Sequence, residues 1–399
     1  MPRISSPAAP AQVLPAPSPV ELARSERLAQ RLRAHIDAQG GCIDFALFME
    51  TALYDPADGY YVCSADQIGA AGDFVTAAEL GDLFAACIAR QCAEILADTP
   101  NGRIIEVGAG RGAMAANVLA RLAADDMLPP SYDIYEISPA LRQRQREVLS
   151  QRVPAEFPIV RWLDDLPDRI DGVVVAIEVA DALPVTRFRI EHGQIVPIGV
   201  TYTDGNFTWR AQPDANWIAP SSMQHLLALD LPNGYESDVA PHVDAWFADL
   251  VGRIDCGVAL IIDYGFPEHE FYHPDRHSGT VMCHYRHRAH GDPLQLPGLQ
   301  DITAHVNFSS LAHTAETSRM DVLGYTQQAP FLLALDILGL AESTYRGDPR
   351  VDLQITQQIK KLTLPHEMGE LFKVLAVGRG VQRSLTGFSM QDHRRRLRV

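Results

Sequence analysis

The chain is expected to fold as an α/β protein: a doubly wound, mostly parallel sheet carrying an N-terminal helical cap and an inserted antiparallel lobe. Three features of the sequence predict this. Five short apolar runs recur, at 103–107, 132–136, 158–162, 172–177 and 257–263. The gaps between the first four are long enough for crossover connections, which parallel pairing requires. The long gap before the fifth opens with period-two alternation around His192-Gly193 and Asp204-Gly205, dipeptides suited to tight hairpin turns.

Residues 1–19 are rich in Pro, Ala and Ser, contain no secretory apolar core, and read as a disordered lead-in. The cap spans 20–100. Leu22, Leu28, Leu32 and Ile36 fall near helical spacing before Gly40-Gly41 ends the first helix, and IDFALFMETALYD follows as a second helical stretch. Residues 101–185 hold the first part of the core and 186–250 the lobe, placed to roof a substrate cleft; the rest of the core and its loops occupy 251–385. Within the last part, FLLALDILGLA from Phe331 reads as one buried helix; at about eleven residues, with Asp336 inside it, it is too short to span a bilayer. LFKVLAVG from Leu371 reads as the final strand. Residues 386–399, with the run His393 to Arg398, read as a solvated basic tail. Phe331, Leu332 and Leu335 are the basis for expecting a homodimer through the C-terminal helices.

Of the 399 residues 47% are hydrophobic and 21% charged, enough apolar material for a large core. A net charge of -16 argues against a nucleic-acid partner, which needs a basic face to displace counterions, and suits a cationic substrate. Cys42, Cys63, Cys87, Cys92, Cys256 and Cys283 form no C-x-x-C pair, so they read as reduced thiols. His284, His287 and His290 run at spacing three, not the spacing of a zinc helix, and no metal is expected.

The chemistry concentrates at strand ends. Glu106-Val107-Gly108-Ala109-Gly110-Arg111-Gly112 runs from a strand into a glycine turn and then a helix, whose N-terminal N–H groups face a ligand. The third glycine comes one residue earlier than in the dinucleotide pattern. That spacing discourages a nicotinamide oxidoreductase, because nicotinamide cofactors have a pyrophosphate to seat and S-adenosylmethionine (SAM) has none. Glu106 precedes the glycines on the strand, where methyltransferases of this fold often place an acid near the methionine ammonium. Glu136, closing the second strand, can accept both ribose hydroxyl protons, and Asp164 or Asp165 after the third can meet the adenine amino group. Glu178 and Asp181 follow the fourth strand, three apart, where two carboxylates can grip a planar guanidinium, orient it and take its proton late.

Together these motifs resemble the MidA family. The resemblance runs over about 45–380, through Tyr54-Asp55-Pro56, Gly59-Tyr60-Tyr61, Gly72 to Glu79, Glu106 to Gly112, Glu136 to Arg142, Asp181-Ala182-Leu183-Pro184-Val185, Ile262-Asp263-Tyr264-Gly265, Tyr285-Arg286-His287, Asp301 to Val306 and Met368 to Val374. It implies a seven-stranded class I methyltransferase fold and SAM as donor. It also implies a protein arginine as acceptor in the mitochondrial member, which serves respiratory complex I assembly. It further implies that Gly72 to Glu79, with Asp73 and Thr76, folds over cofactor or acceptor, and that Tyr264, Tyr285, His287, Asp301 and His305 form substrate loops. The family usually has asparagine where this chain has Ile177, which cannot hydrogen-bond through its side chain.

The reading is therefore a SAM-dependent protein methyltransferase acting on arginine, with Glu106, the glycine turn and Glu136 holding SAM and with Glu178 and Asp181 facing the acceptor. The alternative is a SAM-binding assembly factor that grips a partner without modifying it. No membrane span is expected; the location is cytoplasmic in a bacterium and the mitochondrial matrix in a eukaryote.

Overall fold

The computed structural model describes residues 14–63, 76–99, 101–345 and 347–398. Its main sheet follows one path of seven strands, numbered in chain order: β1 Arg103–Val107, β2 Tyr132–Tyr135, β3 Val160–Leu163, β4 Ile170–Ile177, β5 Ile254–Phe266, β6 Asp321–Gln327 and β7 Phe372–Arg379. Their spatial order is β6-β7-β5-β4-β1-β2-β3. β3, β2, β1, β4 and β5 are mutually parallel, and β7 runs antiparallel to both of its neighbours. A two-residue strand, Val306–Asn307, pairs alongside the carboxyl end of β5.

The central strands are apolar on both faces because both are covered. Val173, Val175, Leu260 and Ile262 face the layer containing α3 (Asp82–Leu96), α4 (Ala113–Ala124) and α5 (Pro139–Arg152). Val174, Ala176, Ala259 and Ile261 face α6 (Pro241–Gly252) and α7 (Phe308–Thr317). Each fully buried valine or leucine here contributes about 1.5–3 kcal/mol relative to exposure.

A separate apolar cluster joins α1 (Pro19–Ala38) and α2 (Phe45–Tyr54) to the lobe: Leu32, Ile36, Phe45, Phe48 and Met49 pack with Val185 and Val200. Helix α1 begins at Pro19 because Ser18 and Glu21 form a capping box. The lobe strands Thr186–Glu191, Gln194–Thr203 and Asn206–Ala211 are joined at the two expected turns. His192, Gly193, Asp204 and Gly205 all have positive φ, from 52° to 83°, as type I′ turns require.

Four expectations need correction. The third strand starts at Val160, because Phe157–Ile159 forms a 3-10 turn around Pro158, which has no N–H to give a ladder. Strand β6 is not among the expected strands: it has no apolar run, and its Gly324 is demanded by the Phe388 ring, which an added Cβ would approach to 2.3 Å. The stretch from Phe331 is not one helix. Helices Gln328–Ala334 and Ile337–Thr344 meet at Asp336, whose φ is 61° and whose carboxylate caps the Gly339 amide. Phe331, Leu332 and Leu335 are at most 3% exposed, buried in the chain's own core, which removes the basis for a dimer there. The basic tail is docked through its backbone and Leu397 while its arginines stay exposed: Leu397 is buried against the α6–α7 layer, Arg396 pairs with Glu270, and the His393 amide donates to the Tyr325 carbonyl at 2.6 Å. Among the described residues no helix is long and apolar enough to cross a membrane.

Candidate active site

The carboxyl ends of β1, β4, β2 and β5 come together at the edge where the strand order reverses, the ligand crevice of an open α/β sheet. β1 delivers the chain into the glycine turn. Gly108 has φ +66° and lies so close to the next turn that a Cβ would reach Val179 at 2.9 Å. Gly110, with φ +51°, faces open space, where a ligand can approach the backbone.

Three of the expected acids surround this turn. Glu106 is buried and accepts the Tyr132 O–H at 2.6 Å. Burial, opposed by that bond and reinforced by the Glu136 charge, pushes its carboxyl up to about 7. Glu136 at the end of β2 is buried; its two oxygens accept from the Ser138 amide at 2.9 Å and from Gln145 Nε2 at 3.2 Å. Burial raises its carboxyl despite those donors. Asp164 stands at the end of β3, its side chain exposed and paired with Arg142 at 2.6 Å. Arg142 also donates to the carbonyls of Glu136 and Leu163, each at 2.5 Å, and so ties β2 to β3. Beside Glu136, Ile137 is 55% exposed, a large apolar surface left open at the crevice.

The second set of acids lies across the Gly108–Val179 contact. Asp263 is fully buried at the end of β5, and its carboxylate collects the amides of Ala180 at 3.0 Å, Asp181 at 3.2 Å and Tyr264 at 2.8 Å. This fixes the turn that presents Glu178 and Asp181. Glu178 holds φ +54°, a left-handed conformation that costs a non-glycine residue on the order of 1 kcal/mol. Its amide donates to the Ile262 carbonyl at 3.0 Å, and its carboxylate receives the Ala77 amide at 3.3 Å. Asp301 accepts the Tyr61 O–H at 2.6 Å, and Tyr54 donates to the Ala182 carbonyl at 3.0 Å. The two tyrosines stack at 5.6 Å, and Tyr264 packs on Phe372 at 3.9 Å.

Four carboxylates and three phenols thus share one low-dielectric edge, and ionisation shows it. Burial, then the neighbouring Asp263 charge, pushes Glu178 up to about 8. Burial pushes Asp263 to about 7, less far than it would go without the amides. Burial and the charges of Asp263, Glu178 and Asp301 hold Asp181 well above the usual range. Burial, then the charges of Asp301, Asp181 and Glu136, raises the Tyr54 phenol, which places it between the two sets of acids. A guanidinium fits the chemistry of the second set: planar, cationic and rich in donors.

Of the residues expected in substrate loops, Tyr264 and Asp301 enter the acid cluster. His305 lies beside Tyr264 with ring centroids 6.4 Å apart, and burial lowers it to about 4, so it is neutral near pH 7. Tyr285 is buried in a strand whose neighbour His284 pairs with Asp301. His287 is not brought in: it is exposed at the tip of the 285–288 turn with φ +59°. Asp73 lies outside the described residues, and Thr76 directly precedes Ala77, the amide on Glu178. Sequence reasoning assigned no role to Tyr54, Tyr61, Asp263, Gln145 or Trp162. Tyr54 and Tyr61 stand far from the acids in sequence, and the packing of α2 and of the short helix Tyr60–Cys63 against the sheet edge reveals them. A groove of about 1490 Å³ between the lobe helix Pro220–Ala228, α7 and the tail contains none of these acids.

Comparison with known proteins gives the same reading. The family model described as an S-adenosyl-L-methionine-dependent methyltransferase matches residues 87–326. The mitochondrial protein arginine methyltransferase NDUFAF7 homolog of Drosophila melanogaster is 30% identical over 385 residues, covering 89% of this chain and 85% of that protein. Protein arginine methyltransferase NDUFAF7, mitochondrial, of Rattus norvegicus is 29% identical, covering 84% of this chain and 81% of the relative. A crystal structure of a Burkholderia thailandensis relative bound to S-adenosyl-homocysteine superposes with a TM-score of 0.93 at 42% identity, covering 96% of this chain and 100% of that one. A sheet of this order, with a glycine turn after β1 and acids at the next strand ends, agrees with these matches: the chain belongs to the MidA family of S-adenosyl-L-methionine-dependent methyltransferases.

Proposed function

We propose that this chain transfers a methyl group from SAM to an arginine side chain of a protein. The observation that carries the reading is the packing of the Glu178–Asp181 turn, with Asp263 and Asp301 beside it, directly against the glycine turn at Gly108. SAM fits the first set of residues. Gly110 leaves the backbone open to it, Glu136 keeps acceptor capacity for ribose hydroxyls, exposed Ile137 offers a face to adenine, and Glu106 and Asp164 lie at the flanking strand ends. Asp73 and Thr76 belong to the segment proposed to cover it.

The donor supplies an electrophilic methyl carried on a sulfonium, so the protein's task is chiefly in-line positioning. Glu178 and Asp181 orient a guanidinium, its arrival displaces their protons, and the carboxylate pair localises its charge on the far nitrogens. The near nitrogen takes the methyl as the carbon–sulfur bond breaks, and its proton passes to a carboxylate. Tyr264, Tyr54 and Tyr61 wall the acceptor and exclude water, with His305 and Tyr285 behind them; His287 belongs to the outer surface, where a protein partner would pass.

The arginine assignment is supported by the names of the Drosophila and rat relatives, and their mitochondrial location supports a mitochondrial site of action in a eukaryotic cell. A respiratory complex subunit is the proposed acceptor; in a bacterium the protein would act in the cytoplasm. A second reading, a SAM-binding assembly factor without transfer, is favoured by Ile177, which ends β4 packed on the apolar core and has no side-chain hydrogen-bonding group to offer cofactor or acceptor. Calorimetric titration of the full chain with SAM, followed by labelled-methyl transfer into a lysate from cells lacking the protein, separates the two. Binding with one labelled protein supports the enzyme; binding without label supports the assembly factor.

A further inference from the structure

We infer that Gln145 is the positioning residue that sets the distance between the glycine turn and the ribose-binding carboxylate, and that Trp162 fixes which way its amide faces. Gln145 lies on α5 and is fully buried. Its Nε2 donates to the Gly110 carbonyl at 2.8 Å and to Glu136 Oε2 at 3.2 Å, while its Oε1 accepts the Trp162 Nε1–H at 2.9 Å.

The orientation follows from chemistry. An indole N–H only donates, so the amide oxygen must face Trp162, and both amide hydrogens are then left for the two acceptors opposite. A flipped amide would set its donors against the indole N–H and its oxygen against a carbonyl and a carboxylate. Trp162 is itself held, with Arg146 over its ring at 4.6 Å and Phe157 at 6.0 Å. The backbone of the glycine turn is close as well: a Cβ on Gly112 would come within 3.2 Å of the Gln145 Cα.

One side chain therefore joins three strand ends: the turn after β1, the acid after β2, and β3 through Trp162. The Ser138 amide holds the other Glu136 oxygen, so the carboxylate is held from both sides. Such preorganisation removes an ordering cost that SAM binding would otherwise meet. The inference rests on the SAM-site reading above and adds to it a residue that touches neither donor nor acceptor.

The test is calorimetric titration of the full chain with S-adenosyl-homocysteine, beside KM for SAM and the transfer rate at saturating SAM. Gln145→Met keeps length and removes both donors. Its affinity should fall roughly ten- to hundredfold, the worth of a hydrogen bond to a charged group, with KM for SAM rising in parallel and the saturated rate within about threefold of wild type. Trp162→Phe leaves the donors but frees the amide to flip, and should weaken binding by roughly two- to tenfold; it decides the matter if Gln145→Met fails to fold. Affinities within twofold of wild type in the folded variants, or a fallen saturated rate with unchanged KM, would overturn the role of Gln145. A wild-type chain that does not bind S-adenosyl-homocysteine overturns the SAM-site reading and this inference together.

Discussion

The edge at β1 to β3 and the edge at β4 and β5 both place carboxylates at strand ends, but the protein treats them differently. On the first edge each acid has a donor of its own: Tyr132 for Glu106, Ser138 and Gln145 for Glu136, Arg142 for Asp164. On the second, three amides go to Asp263, while Glu178 takes one long bond from Ala77. Among the described residues no lysine or arginine lies within 4.0 Å of Glu178, Asp181 or Asp263 as an ion-pair partner. The acids of the first edge are partnered as folded; the second gathers more carboxylates than the protein's own donors satisfy, which suits the cation proposed as its substrate.

The comparison is broken most directly by removing the second edge's ionisable pair. Glu178→Gln should reduce transfer by roughly 10²- to 10⁴-fold in a single-turnover assay with labelled SAM, the usual range for losing a positioned acid–base group. A loss under fivefold would mean the cation is held elsewhere. Asp263→Asn can keep an oxygen on the Ala180 and Asp181 amides but then turns its own NH2 against the Tyr264 amide. Each unsatisfied donor costs about 1–3 kcal/mol, so the melting temperature should drop by several degrees and transfer should fall with it.

Proton linkage sharpens the same contrast. Glu178 must be ionised to hold a guanidinium, and its carboxyl is raised to about 8. The active form is lost as pH falls through that value, so transfer at saturating SAM should climb from pH 6.5 to pH 9; a flat profile would place the ionisation elsewhere. For stability the sign reverses. The folded chain holds a proton between the ordinary carboxylate range and about pH 8 that the unfolded chain releases, so Glu178 destabilises the fold progressively as pH rises across that window. Glu178→Gln should therefore melt at or above wild type at pH 8 while losing transfer. The smallest effect is expected from Ile177→Asn, a change of a fewfold in transfer with a modest fall in melting temperature; an increase in transfer would identify this position as a brake on the chain.

The sheet was readable in the sequence where strands are buried on both faces. The run at 172–177 is apolar without interruption because two helical layers cover it, the run at 103–107 is broken only by Arg103 at its start and the buried Glu106, and His192-Gly193 and Asp204-Gly205 announce their turns through the positive φ they adopt. β6 was not readable, since an edge strand built around Gly324 carries no such run. Glu136, Glu178 and Asp181 could be picked from their places after strands. Tyr54 and Tyr61 could not, because no local pattern says that α2 and the short helix Tyr60–Cys63 after it are carried to the edge of a sheet that begins about forty to fifty residues later in the chain. The resemblance to a family supplied segments, such as Asp301 to Val306, without the contacts that give them a role.

The central claim is that the two edges have separate tasks, and one pair of variants tests it. Titration of S-adenosyl-homocysteine into Glu136→Gln and Glu178→Gln, each beside its transfer rate, should give a crossed result. Glu136→Gln should bind the nucleoside at least tenfold more weakly, the loss of a charged acceptor to two hydroxyls, whereas Glu178→Gln should bind it within twofold of wild type yet transfer almost nothing. Equal loss of binding in both variants would contradict the account, because it would mean that the acids of β4 hold the donor and not the acceptor.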